Sequence, residues 1–138
     1  MFDILYSVAA FVVALGVLIA VHEFGHFWVA QRLGVKVLRF SIGFGKPLWM
    51  RRVGKDNMEL VVAAFPLGGY VKMLDETEGE VAAQDQPRAF NRQNVWKRMA
   101  IVVAGPAFNF LFAILAYWAT YMIGVDGIKP VVGRVMLA

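Results

Sequence analysis

Two runs of this chain carry no charge: Ile4 to Val21, and Met99 to Ile123. A helix needs about 20 apolar residues to cross a bilayer, so each run is long enough to span one. Hydrocarbon offers no partner for peptide groups, so a single apolar run crosses it as a helix. Of the 138 residues, 59% are hydrophobic, against about 45–50% in soluble domains. The first run has Asp3 where a signal peptide has basic residues, and no small-x-small site follows it. It reads as a retained membrane helix. The chain has no cysteine, which removes disulfides and thiolate metal sites. Any metal must then be held by histidine and carboxylate.

Of the 14 Lys and Arg residues, all but Lys129 and Arg134 lie between the two runs. Arg32, Lys36 and Arg39 crowd the end of the first, and Lys97 and Arg98 open the second. Basic loops stay in the cytoplasm, so residues 32–97 are expected there and both outer ends across the membrane. The net charge of +4 is read as topology, and no nucleic-acid partner is inferred from it.

The segment between the spans does not have a helical pattern. "VKVLRF" alternates apolar and basic residues, as a strand with one wet face does. "LWMRR" and "MELVVAAF" flank the turn signal "VGKDN", and "PLGGYVKM" is another strand entered through a Gly-Gly bend. Three or four short strands are expected. Phe44, Leu48, Trp49 and Phe65 would let such a sheet dip into the membrane against the helices; a small amphipathic cytoplasmic sheet is the alternative. The fold class is thus a helical membrane protein with a small β-sheet. Its expected parts are a first transmembrane helix at 1–31, the sheet at 32–75, a polar cytoplasmic connector at 76–97 and a second transmembrane helix at 98–123.

Both histidines of the chain lie in "HEFGH", at the end of the first run. Residues four apart share a helix face, so His22 and His26 converge on one point, with Glu23 beside it. This is the H-E-x-x-H arrangement, in which two imidazoles hold zinc and the glutamate stands at the open position. Ionisable groups in a span cost about 2.5–3.5 kcal/mol each on insertion scales and tend to be functional. The chemistry they offer is hydrolysis: zinc acidifies water, and Glu23 takes its proton and delivers it to a leaving nitrogen. In the second run, Pro106 removes a backbone hydrogen bond and predicts a kink. Gly105 admits close backbone approach. Asn109 lies as deep as His22, each about 15 Å inside the basic end of its span. It either bonds between helices as a packing feature or faces the histidine pair.

HEFGH closing a first membrane helix, followed by "GFGKPL", "FPLGGYVKM" and "RAFNRQNVWKRMAIVVAGPAFNFLFA", resembles the site-2 protease family of intramembrane zinc metalloproteases. The resemblance implies that His22 and His26 are Zn2+ ligands and Glu23 the general base. It places Gly43, Phe44 and Gly45 in a membrane-re-entrant β-loop that helps hold substrate as an added strand. We group Asn109 with these three as substrate-binding. The implied partners are the lipid bilayer, single-span membrane proteins of the anti-sigma-factor type, and remnant signal peptides. The implied location is the bacterial inner membrane, with the N-terminus periplasmic.

One departure stands out. The family's third zinc ligand is an Asp in an N-x-x-P-x-x-x-L-D-G-type motif on a later membrane helix, and no such motif is present. Asp126 lies across the membrane from HEFGH, and Asp75 lacks a helical setting. Residues 124–138 resemble the start of a periplasmic PDZ domain, so the chain reads as an N-terminal part of a longer enzyme. A zinc transporter or sensor would place further His or Asp along the spans, and none appears. A membrane-anchored interaction module would leave Glu23 without a role. The 138-residue chain alone is expected to bind zinc weakly and to be proteolytically inactive; robust cleavage by the purified piece would refute this.

Overall fold

The computed structural model describes residues 1–124 and 126–127; the expected start of a PDZ-like domain therefore falls almost wholly outside the described residues. Helix α1 spans Phe2–Arg32 and helix α2 spans Val95–Ile123. Between them lie strands β1, Val37–Val53, and β2, Met58–Met73. Asn94 caps α2, its side chain accepting from the Lys97 amide at 2.9 Å; the helix thus starts before its uncharged run, because the cap satisfies an otherwise orphaned donor. It continues through Pro106 to Ile123. At the end of α1 the Arg32 guanidinium lies 4.7 Å from the centre of the Trp28 ring, a cation–π pair one turn apart.

Both helices are long and apolar enough to cross a membrane, and the protein itself covers almost none of them. Phe2, Phe11, Phe110, Trp118 and Tyr121 are all more than half exposed. Such a surface is stable in lipid, not in water. The helices run antiparallel and cross where Gly25 meets Ala104: a Cβ at Gly25 would stand 2.5 Å from the Ala104 carbonyl oxygen. Any larger residue there would force the helices apart.

The sheet is built from two long strands, each bent in its middle, where the pattern predicts three or four short ones. The two strands pair as an antiparallel hairpin, Val53 opposite Met58 and Met50 opposite Val61. Arg39 to Ile42 pair on both sides. On one side they meet Lys72, Val71, Tyr70 and Gly69, running opposite; on the other they meet Glu59, Leu60, Val61 and Val62, advancing together. The bends thus divide two strands into four segments, with residues 39–42 between 69–72 and 59–62. Cross-strand neighbours share a face, so Phe40, Leu60 and Val71 fall together, with Lys72, Arg39, Glu59 and Arg52 on the other side. The apolar row packs into the core with Ala30, Val35, Val37, Met58 and Ile101. The core therefore sits at the basic ends of both helices and fixes the sheet against them.

The connector is not a loose strap. The Lys36 amide donates to the Arg88 carbonyl at 3.0 Å, and the Phe90 amide to the Leu74 carbonyl at 2.7 Å. Ala89 is fully buried. Arg88 grips Asp56 with both terminal nitrogens, at 2.8 and 2.6 Å, and Arg92 pairs with Glu76. The Arg88 hydrogen bonds hold the Asp56 carboxyl below its ordinary range. A carboxylate with a lowered folded pKa stabilises the fold above its unfolded value and loses that contribution as pH falls through the folded one. The protection factor of the amides around Ala89, that is, exchange corrected for the intrinsic rate at each pH, is expected to fall on acidification and in Asp56→Asn at neutral pH. The effect should be about tenfold or less, because half-exposed ion pairs contribute about 1 kcal/mol or less. A protection factor unaltered by both changes would show that the pair does not hold the connector.

Candidate metal centre

The four-residue spacing puts His22 and His26 on one face of α1, and the rings meet edge to face with centroids 4.7 Å apart. Their Nε2 atoms are 3.1 Å apart. Two nitrogens each about 2.0–2.1 Å from a zinc lie at a similar separation, about 3.3 Å at tetrahedral angles. The separation is close to what two rings reaching one cation would need. Both imidazoles and Glu23 are half-buried. Among the described residues no group of three His, Cys, Asp or Glu side chains gathers to hold a metal.

Helix α2 closes the site from the other side. His26 Nδ1 lies 2.7 Å from the Ile101 carbonyl oxygen, and the Asn109 amide nitrogen 3.4 Å from His22 Nδ1. Gly105 sits between these two contacts, where a Cβ would come within 2.4 Å of His26 Nε2 and 2.8 Å of His22 Cε1. Sequence reading gave Gly105 a packing role only. Its spacing of four from both Ile101 and Asn109 is the signal that places it on the face turned to the imidazoles. Gly25, on the same helix as the histidines, receives α2.

The sheet supplies the remaining wall. Gly69 lies against α1, where a Cβ would stand 3.5 Å from Glu23 Cγ and 3.1 Å from Ile19 Cγ2. Gly43 and Gly45 adopt positive φ, 92° and 86°, a conformation that costs other residues strain. They frame Phe44, whose ring covers Gly68 and stacks on Tyr70 at 6.2 Å. Arg39 holds Tyr70 in turn, its Nη1 donating to the hydroxyl at 3.2 Å while its Nε donates to Glu59 at 2.7 Å. The Tyr70 bond, then the Glu59 bond, raise the Arg39 pKa above its usual value.

Two cavities meet at Glu23. One, about 400 Å³, opens between residues 69–73 and α2 and also contains His26 and Ile101. The other, about 380 Å³, runs beside Leu15 and Ile19 and contains His22, Phe44 and Asn109. The structure thus brings His22, Glu23, Phe44 and Asn109 to one cavity. Gly43 and Gly45 shape the turn that carries Phe44 and do not line it.

One membrane-length helix thus presents paired imidazoles and a carboxylate beside the same clefts. The chain belongs to peptidase family M50, whose model matches residues 10–135. It is 62% identical over 135 residues to a Vibrio cholerae relative whose given name includes the words zinc metalloprotease. It is 58% identical over 135 residues to the regulator of sigma-E protease RseP of Escherichia coli, and 59% identical to the protease RseP of Yersinia pestis. Each match takes in 98% of this chain but 30% of the relative. The chain therefore spans about a third of the length of the curated relatives it matches.

Overpacking a close contact costs about 1–3 kcal/mol. Gly105→Val in the intact protein should push the imidazoles out of register and weaken zinc binding about tenfold or more. Competition with a chromophoric chelator would measure this; wild-type affinity would show that the rings can move aside freely.

Proposed function

We propose that this chain carries the catalytic part of an intramembrane zinc metalloprotease that hydrolyses peptide bonds of membrane-spanning substrates. The observation that carries the reading is the 3.1 Å approach of the two Nε2 atoms in a cleft that Glu23 also lines. His22 and His26 would hold the zinc, and the third protein ligand is supplied from outside the described residues. Zinc, when bound, supplies Lewis acidity that acidifies water and polarises a carbonyl. Glu23 accepts a proton at its carboxylate oxygen from the attacking water and returns it to the departing amide nitrogen. The half-buried setting strengthens these electrostatic effects relative to bulk water.

Substrate would enter as an extended strand. Residues 69–73 pair with 37–42 on one side, and their other side faces the cleft that holds Glu23 and His26. A strand added at such an edge is held by main-chain hydrogen bonds, whatever its side chains. Phe44, set by Gly43 and Gly45, would close the deep end of the groove. That end lies beside Leu15, 17 residues before Arg32, or about 25 Å along the helix. Depth of this order, together with the exposed apolar side chains of Phe44, Leu48, Phe65 and Leu67, supports a sheet tip re-entering the bilayer. Residues 32–97 would then be cytoplasmic and the N-terminus periplasmic, in the bacterial inner membrane. The sigma-E names of the relatives favour a membrane-bound anti-sigma factor as substrate, with remnant signal peptides as a second class.

In the intact protein Glu23→Gln should lower cleavage of a single-span substrate at least about 100-fold while zinc content, read by atomic absorption, stays at the wild-type level. Cleavage that survives the substitution would remove the protease assignment.

A further inference from the structure

Helix α2 borders a further groove at its basic end. Val95, Arg98, Met99, Val102 and Val103 recur at steps of three and four, so they form one stripe. Together with Phe90 of the connector they line a cavity of about 510 Å³. Arg98 is the one polar side chain in this lining, and Val95, Met99, Val102 and Val103 are each half or more exposed. Arg98 stands just before the uncharged run of α2, which puts it at the level where a span meets the headgroups. Val103 lies about 8 Å further in. The other two arginines nearby in sequence have carboxylate partners, Arg88 on Asp56 and Arg92 on Glu76. Arg98 joins none of the ion pairs among the described residues, and its Nε is buried with no hydrogen-bond acceptor. A buried donor left unpaired costs free energy, and a guanidinium carries its donors in a planar fork that matches the oxygens of a phosphate.

We propose that this groove seats an anionic phospholipid of the surrounding bilayer, with its phosphate on the Arg98 guanidinium and one acyl chain along Met99, Val102 and Val103. The two halves of the groove select the two halves of the ligand. The unpaired cation calls for an anion, and among the described residues no carboxylate lines the cavity to repel one. The apolar stripe runs inward from that cation, as a chain leaves its headgroup. A free anion would use the arginine and leave the stripe bare; an uncharged lipid would cover the stripe and leave the arginine unpaired. Phe90 gives the groove a fixed wall, because its amide is bonded to the Leu74 carbonyl at 2.7 Å. Phe90 and Val102 also line the cleft that holds Glu23 and His26, so the seated lipid borders that cleft. The proposal requires that α2 crosses a membrane, and it stands whether or not the histidines hold zinc.

The test uses the intact protein in micelles of an uncharged detergent, titrated with phosphatidylglycerol and read by native mass spectrometry. The wild type is expected to retain phosphatidylglycerol at least about tenfold more tightly than phosphatidylcholine. Arg98→Gln should weaken retention about tenfold or more. Met99→Trp, which fills the groove and leaves the cation in place, should weaken it to a similar extent and decides the matter if Arg98→Gln does not fold. Lys97→Gln removes the same charge one residue away, outside the lining, and should cost no more than about threefold. Inorganic phosphate in excess should not displace the lipid. Equal losses in Lys97→Gln and Arg98→Gln would reveal general attraction to a basic surface and overturn the proposal. Displacement by inorganic phosphate would overturn it in favour of a plain anion site. Absence of retained phosphatidylglycerol in the wild type would overturn it too, and would mean that another part of the intact protein covers the groove.

Discussion

Everything in this structure depends on how closely two membrane helices approach each other. Lipid is as apolar as leucine, so there is no hydrophobic drive to press them together, and small residues that let backbones touch do the work instead. Gly25 lets α2 come against α1, and Ile101, Gly105 and Asn109 are then in reach of the imidazoles. Gly105, one residue beyond the contact with Ala104, makes the imidazoles fit under the neighbouring backbone. One glycine on each helix therefore sets the distance at which a backbone carbonyl and a side-chain amide can meet the two distal ring nitrogens. The glycines have no chemistry of their own; their contribution is to let other groups reach.

The same economy appears in the sheet. An isolated two-stranded ribbon is at best marginally stable. Here the bends let residues 39–42 take partners on both sides, and the apolar row packs on the helix ends. The connector adds a further tie through Arg88 and Asp56. Rigidity at the basic ends of the helices is what allows the far end of the sheet, with its exposed aromatic side chains, to stand beside the middle of α1.

The helices were legible because charge and hydropathy decide them: two uncharged runs bounded by Arg32 and by Lys97 and Arg98. The pairing of His22 with His26 was legible from helical periodicity, and the depth of Asn109 from counting inward from those basic ends. The path of the sheet was not. Alternation marks a strand but not its neighbours, so nothing in "VKVLRF" shows that Arg39 has partners on both sides. Nor did composition reveal the contact of His26 with Ile101, because a backbone carbonyl leaves no trace in the residue type. Gly105 lay between the two cases. Its identity was visible, and its spacing from Asn109 held the answer, but only the crossing of the helices shows which face it occupies.

Pro106 has a consequence for hydration. Lacking an N–H, it leaves the carbonyl four residues earlier, that of Val102, without its helical donor, and Val102 borders the cleft that holds Glu23 and His26. A spanning helix with a complete ladder offers water no foothold. This one carries a spare acceptor at a residue that borders the cleft, so the backbone itself offers solvent an anchor there.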